Sequence, residues 1–167
     1  DVYKRQTERY YEEEGRAELT PRDFGILMHR VFENAATTDE IYMAIEAMTQ
    51  DGVLDEKEAP RLRELVEKAL ADPVTAEWFG GRWQVVRNEN EIILPGSGTT
   101  RRPDRVMTDG ERAVVVDYKF GDRETARHRK QIREYLRLLR QMGYTRTEGY
   151  LWYVRLGRTE RVEEKED

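Results

Sequence analysis

The sequence predicts an α/β (or α+β) core, a mixed central sheet flanked by helices and preceded by an N-terminal helical section. Three observations predict it. Apolar residues recur at helical spacing from Ile26 to Leu70, in three amphipathic segments. From Arg82 the rhythm changes to short apolar runs separated by turn residues, and Val114-Val115-Val116 is the β-branched run of a strand covered on both faces. A long basic helical pattern then leads to a second buried run, Gly149 to Arg155, and strands joined through a helix imply a parallel pair within a mixed sheet.

The elements follow in order. Residues 1–6, Asp1 to Gln6, read as one frame of the transposon end used in sequencing-library preparation, GATGTGTATAAGAGACAG. They are set aside, and the polypeptide is expected to begin further upstream. Residues 7–19 are acidic and polar, a linker. Residues 20–162 form one domain, divided into a helical section, 20–80, and a core, 82–162; residues 163–167 are a charged tail. Thr20 is a candidate N-cap with Pro21 at the first helical position and Asp23 completing a capping box, and the helix carries Ile26, Leu27, Arg30, Val31 and His29. Thr38-Asp39-Glu40 caps a second helix, Ile41 to Gln50, which Asp51-Gly52 ends. A third runs from about Glu56 to Ala71 and stops at Asp72-Pro73; Val74 to Phe79 reads as a turn. Trp83 to Val86 with Glu89 to Leu94 reads as a first, bulged strand, followed by a Gly/Ser/Thr loop, Pro95 to Thr100. Arg102 to Met107 and Arg112 to Tyr118 are the next strands, joined at Thr108-Asp109-Gly110, whose Asp-Gly is a strong hairpin signal. Glu124 to Met142 is the basic helix, Gly149 to Arg155 the buried strand, and Arg158 to Val162 an edge strand.

Composition narrows the function classes. The chain has 167 residues, one domain by length, with charged and hydrophobic residues at 38% each, so a real core is affordable. No apolar run approaches the roughly 20 residues of a membrane helix, no signal peptide opens the sequence, and a cytoplasmic location is the simplest. With no cysteine there is neither a disulfide nor a thiolate-held metal or iron–sulfur cluster. Gly96-Ser97-Gly98 lacks the lysine of a nucleotide-binding loop. The net charge of −5 speaks against a polyanionic partner, but its distribution does not. Residues 1–100 carry 12 Lys and Arg against 21 Asp and Glu, whereas residues 101–161 carry 16 against 9. Local potential, not net charge, attracts phosphate.

The chemistry concentrates in Arg102 to Lys119, RPDRVMTDGERAVVVDYK. Period two puts Asp117 and Lys119 on one strand face, and an acid straight after three valines is buried unless it serves a site. If the Asp104 segment pairs with this strand, two carboxylates and one ammonium converge. One lysine cannot neutralise both, so the arrangement suits a metal and a water. The competing reading makes Lys119 merely the ion-pair partner of Asp117.

Pro103-Asp104 followed by Asp117-Tyr118-Lys119 resembles the signature of the PD-(D/E)xK nucleases, which share a restriction-endonuclease-like core. Gln131 and Tyr135, four apart on one helix face, resemble the Gln-x-x-x-Tyr of the RecB-like branch. Gly25 to His29 resembles its Gly-x-x-x-His helix, and Glu89 or Glu91 stands where that branch has an extra glutamate. The resemblance runs from about Phe24 to Tyr153 and is closest to the C-terminal nuclease domain of RecB- and AddA-type helicase-nucleases (exonuclease V).

It implies a metal-dependent DNA exonuclease in double-strand-break repair and recombination, fed single strands by a UvrD-like helicase missing upstream. His29, Asp104, Asp117 and the Tyr118 backbone carbonyl are the implied ligands of Mg²⁺ or Mn²⁺, with Glu89 a further candidate. Lys119 orients the attacking water, Gln131 and Tyr135 position the strand, and Arg102, Arg127 and Lys130 reach phosphates. The alternatives are a non-catalytic DNA-guiding or scaffold module of a helicase complex, and a free-standing nuclease. Taken singly, His29 and His128 are ordinary helix histidines, and Trp83 is either core or a base-stacking platform.

Overall fold

The computed structural model describes residues 21–92, 102–120 and 126–165. The expected leader, linker and Thr20 cap, the Pro95 to Thr100 loop, the first residues of the basic helix and the last two of the tail lie outside the described residues.

Four helices come first: α1 (Pro21–Phe32), α2 (Thr38–Gln50), α3 (Glu58–Ala69) and α4 (Pro73–Trp78). Thr37, not Thr38, is the N-cap of α2; its side chain accepts from the Glu40 amide at 3.3 Å while Glu40 accepts from the Ala36 amide. That reciprocal cap contributes about 1 kcal/mol. The stretch read as a turn after Asp72-Pro73 is a helix instead. Asp72 accepts from the Val74 amide and Pro73 supplies a preset backbone, so the two residues that stop α3 also start α4.

Five strands follow: β1 (Val85–Asn88), β2 (Arg105–Asp109), β3 (Arg112–Lys119), β4 (Arg146–Tyr153) and β5 (Arg158–Val162), in sheet order β1-β2-β3-β4-β5. β3 and β4 are parallel, joined through α5 (Ala126–Gln141); the other pairs are antiparallel. The expected strand from Glu89 to Leu94 is overturned where it is described, because Glu89–Glu91 is a single 3-10 turn that ends β1. Glu91 reaches back to accept from the Asn88 amide at 3.1 Å, and that local bond outcompetes a further ladder step.

Period two divides the sheet between two cores. Met107, Val114, Val116, Tyr118, Tyr150 and Trp152 face the α1–α4 layer; Val106, Ala113, Val115, Leu151 and Tyr153 face α5. The three central valines are fully buried, as a strand covered on both sides requires. Phe32, at the end of α1, packs its ring 5.3 Å from Tyr118 and 5.2 Å from Trp152, anchoring that helix to the middle of the sheet. On the other side α5 sits so close to β4 that a Cβ at Gly149 would lie 2.5 Å from Ile132 Cγ2. Among the described residues no helix is long and apolar enough to cross a membrane.

Candidate active site

The β2–β3 register builds the site. Arg105 pairs with Val116, so the next position outward sets Asp104 opposite Asp117. There the regular ladder gives way to side-chain bonds: the Asp104 amide donates to Asp117 Oδ1 at 3.1 Å, and the Tyr118 amide donates to Asp104 Oδ2 at 2.7 Å. Each carboxylate is thus clamped by the backbone of the opposite strand. Asp117 is only 7% exposed, and Lys119 Nζ lies 3.9 Å from its Oδ2. Asp117 and Lys119 occupy the α5 face of β3, as period two requires.

His29 reaches the same point from α1. Its Nε2 is 3.4 Å from Asp104 Oδ1 and 3.7 Å from Glu89 Oε2. Gly25 makes this approach possible: a Cβ there would lie 3.2 Å from Phe120 Cβ, one residue beyond Lys119, and would press α1 away from the end of β3. The Asp104 carboxylate raises the pKa of His29 above its ordinary value, against the opposing effect of burial, with Glu89 and Glu33 assisting. A cation bound there would take the neutral imidazole.

His29, Glu89 and Asp104 each offer a ligand atom within 4.8 Å of the other two. Asp117 adjoins this trio through the Asp104 amide. Two carboxylates and an imidazole, with a third carboxylate beside them, are a donor set that could hold a divalent cation. The 3-10 turn separates the two candidate glutamates: Glu89 faces His29, whereas Glu91 caps Asn88 and lines a different cavity.

The remaining predicted residues lie on β3, on α5 and in the segment before β2. Tyr118 contributes its amide to Asp104, and its side chain is buried in the α1–α4 core. Gln131 is half-buried on α5; Tyr135, one turn on, is buried against the sheet. Tyr135 lines a cavity of about 260 Å³ shared with Arg87, Glu91, Val106 and Tyr144. Arg102, Arg127 and Lys130 are exposed. Trp83 is partly buried, donates to the Glu77 carbonyl and stacks under Arg112, which makes it a packing residue. Sequence reading passed over Arg105, which is fully buried. Its signal is parity: it follows Asp104 and so points into the helical layer, where an arginine is out of place unless it is bonded.

A family model described as PD-(D/E)XK nuclease superfamily matches residues 3–167. A comparison with curated proteins returns no match.

Proposed function

Because this chain belongs to the PD-(D/E)XK nuclease superfamily, we propose that it hydrolyses DNA phosphodiester bonds with Mg²⁺ or Mn²⁺ as its cofactor. In this reading it is the exonuclease domain of a RecB- or AddA-type helicase-nuclease, acting in the cytoplasm on single strands delivered during double-strand-break repair and recombination. The observation that carries the hydrolytic reading is Asp104 opposed to Asp117, with His29 and Glu89 on one side and Lys119 on the other.

His29, Glu89, Asp104, Asp117 and the Tyr118 carbonyl would hold the cation. Held there, it would supply Lewis-acid polarisation of the scissile phosphate and a water of lowered pKa. Lys119 directs its ammonium toward the reacting centre, orienting the attacking water and stabilising charge that develops on the phosphoryl oxygens. Its neighbour Asp117, 3.9 Å away, helps hold it in place. Gln131 and Tyr135 position the strand from α5, the helix that packs on the face carrying Asp117 and Lys119. Arg102, Arg127 and Lys130 hold backbone phosphates, contacts that orient the strand without reading its sequence.

End-labelled linear and circular single-stranded DNA, incubated with the chain in Mg²⁺, Mn²⁺ or chelator, tests this. Linear DNA is degraded from its ends, circles persist, and both chelator and Asp117→Asn stop the reaction. Cleavage of circles at the same rate would remove the exonuclease part. No cleavage with either cation would overturn the reading and leave the non-catalytic DNA-guiding module in its place.

A further inference from the structure

We propose that Arg105 and Asn88 are positioning residues for the metal centre, binding the three segments that carry His29, Glu89 and Asp104 to one backbone carbonyl, that of Ala35. The inference rests on the metal-dependent reading above and adds which residues set the centre's geometry.

Each candidate ligand has a neighbour in this knot. Arg105 follows Asp104, Asn88 precedes Glu89, and Ala35 lies just beyond the end of the helix that carries His29. Arg105 Nη1 donates to the Ala35 carbonyl at 2.5 Å, and Asn88 Nδ2 donates to the same oxygen at 3.4 Å. Arg105 Nη2 donates to the Ala36 and Trp78 carbonyls, both at 2.7 Å, so one guanidinium ties the link between α1 and α2 to the end of α4. The Trp78 carbonyl, at the last residue of α4, is a group a helix end leaves without an intrahelical partner, and a cation there also suits the dipole of that helix. The Phe79 ring covers the guanidinium, with its centroid 4.0 Å from Cζ.

Arg105 is 0% exposed, a cation held away from water at a cost. Stability alone does not call for it, since apolar residues of similar volume often replace buried charged groups without loss. Geometry does. In β2, alternate residues point to opposite faces, so Asp104 is presented to the site while Arg105 locks the same backbone to the helical layer. A similar division holds at Asn88 and Glu89. Ligands carried on three separate segments are thereby fixed relative to one another before a metal arrives.

Mn²⁺ binding measured by calorimetry, beside thermal melting, tests this without reference to nuclease activity. The variants are Asn88→Ala, Arg105→Lys, which keeps the charge but loses the planar fork, and Val53→Ala, a core truncation after α2. Asn88→Ala and Arg105→Lys are expected to bind Mn²⁺ on the order of tenfold more weakly or worse, while Val53→Ala lowers the melting temperature and binds as the wild type does. Should Arg105→Lys fail to fold, Asn88→Ala decides alone. Wild-type affinity in the folded variants would overturn the proposal and leave a purely structural knot. Absence of Mn²⁺ binding in the wild-type chain is a different result: it overturns the metal reading itself, and the positioning role with it.

Discussion

The two ends of the β2–β3 hairpin are built from the same kinds of residue and treat charge in opposite ways. At the turn, Asp109 pairs across from Arg112. Arg112 donates to Glu148 at 2.6 Å and to Glu77 at 2.7 Å, and Glu148 also accepts from the Tyr150 hydroxyl. Opposite charges alternate there, and the Trp83 ring packs against the guanidinium. At the open end, Asp104 and Asp117 face each other, and Glu89 approaches from β1. Like charges directly opposite each other destabilise a sheet. One end of the hairpin follows the rules of stable pairing and the other breaks them, and such breaks are expected where a site must bind something.

The largest expected effect breaks the open end. Asp117→Asn keeps an oxygen for the Asp104 amide and removes the charge. Under the proposed mechanism turnover of linear DNA falls on the order of a thousandfold, several kcal/mol of barrier. Melting of the metal-free chain stays level or rises, because crowding of carboxylates is relieved. Turnover in Mg²⁺ measured alongside a melting curve checks both; a marked loss of stability with activity intact would reverse the comparison.

Lys119→Met probes the same end more gently. Removing a group that stabilises charge in the transition state costs about 10²–10³ in kcat. Under the proposed mechanism DNA affinity changes little, because the ammonium serves the reacting centre rather than the strand. Single-turnover rates at saturating DNA separate the two; a pure loss of affinity would assign Lys119 to strand holding.

Adding cation sharpens the contrast. Mn²⁺ at about 100 times its Kd stabilises a folded protein by about 2.7 kcal/mol, a rise of roughly 5–10 °C for a chain of this size. Asp104→Asn should lose the rise and Arg112→Met should keep it. Calorimetry at two Mn²⁺ concentrations reads this directly, and a shift that survives Asp104→Asn would move the cation elsewhere.

The smallest effect belongs to the turn. Burial alone would raise the Glu148 carboxyl, but hydrogen bonds from Arg112 and Tyr150 outweigh it and hold the group below the usual carboxylate range. A depressed pKa contributes stability above the unfolded value near 4.5 that is lost as pH falls through the folded value. Arg112→Met should therefore cost about 1 kcal/mol at neutral pH, kept small by partial exposure. The difference should close in acid below that range. Urea unfolding at both pH values checks it, and a gap that persists in acid would mean the arginine acts through packing on Trp83.

Much of this was legible from local pattern. The valine run placed β3 between two layers, and its period put Asp117 and Lys119 on one face. The Asp-Gly turn predicted the hairpin, although the register that sets Asp104 opposite Asp117 comes from pairing. The extended reading failed over Glu89–Glu91 because one hydrogen bond, from the Asn88 amide to Glu91, favours a turn, and periodicity carries no information about such a competition. Gly25 was read through its spacing to His29; the reason for it, a close approach to Phe120, spans most of the chain.

By itself, then, the sequence determined the order of α1 to α3, α5 and the main strands, the buried β3, and the acid-and-lysine pair at its end, because each depends on residues a few positions apart. Tertiary structure alone decided which glutamate faces His29, how the two aspartates clamp each other, and why Arg105 is buried. Those outcomes depend on carbonyls and amides contributed by distant segments, where the free energy of one bond is weighed against the packing of the whole domain.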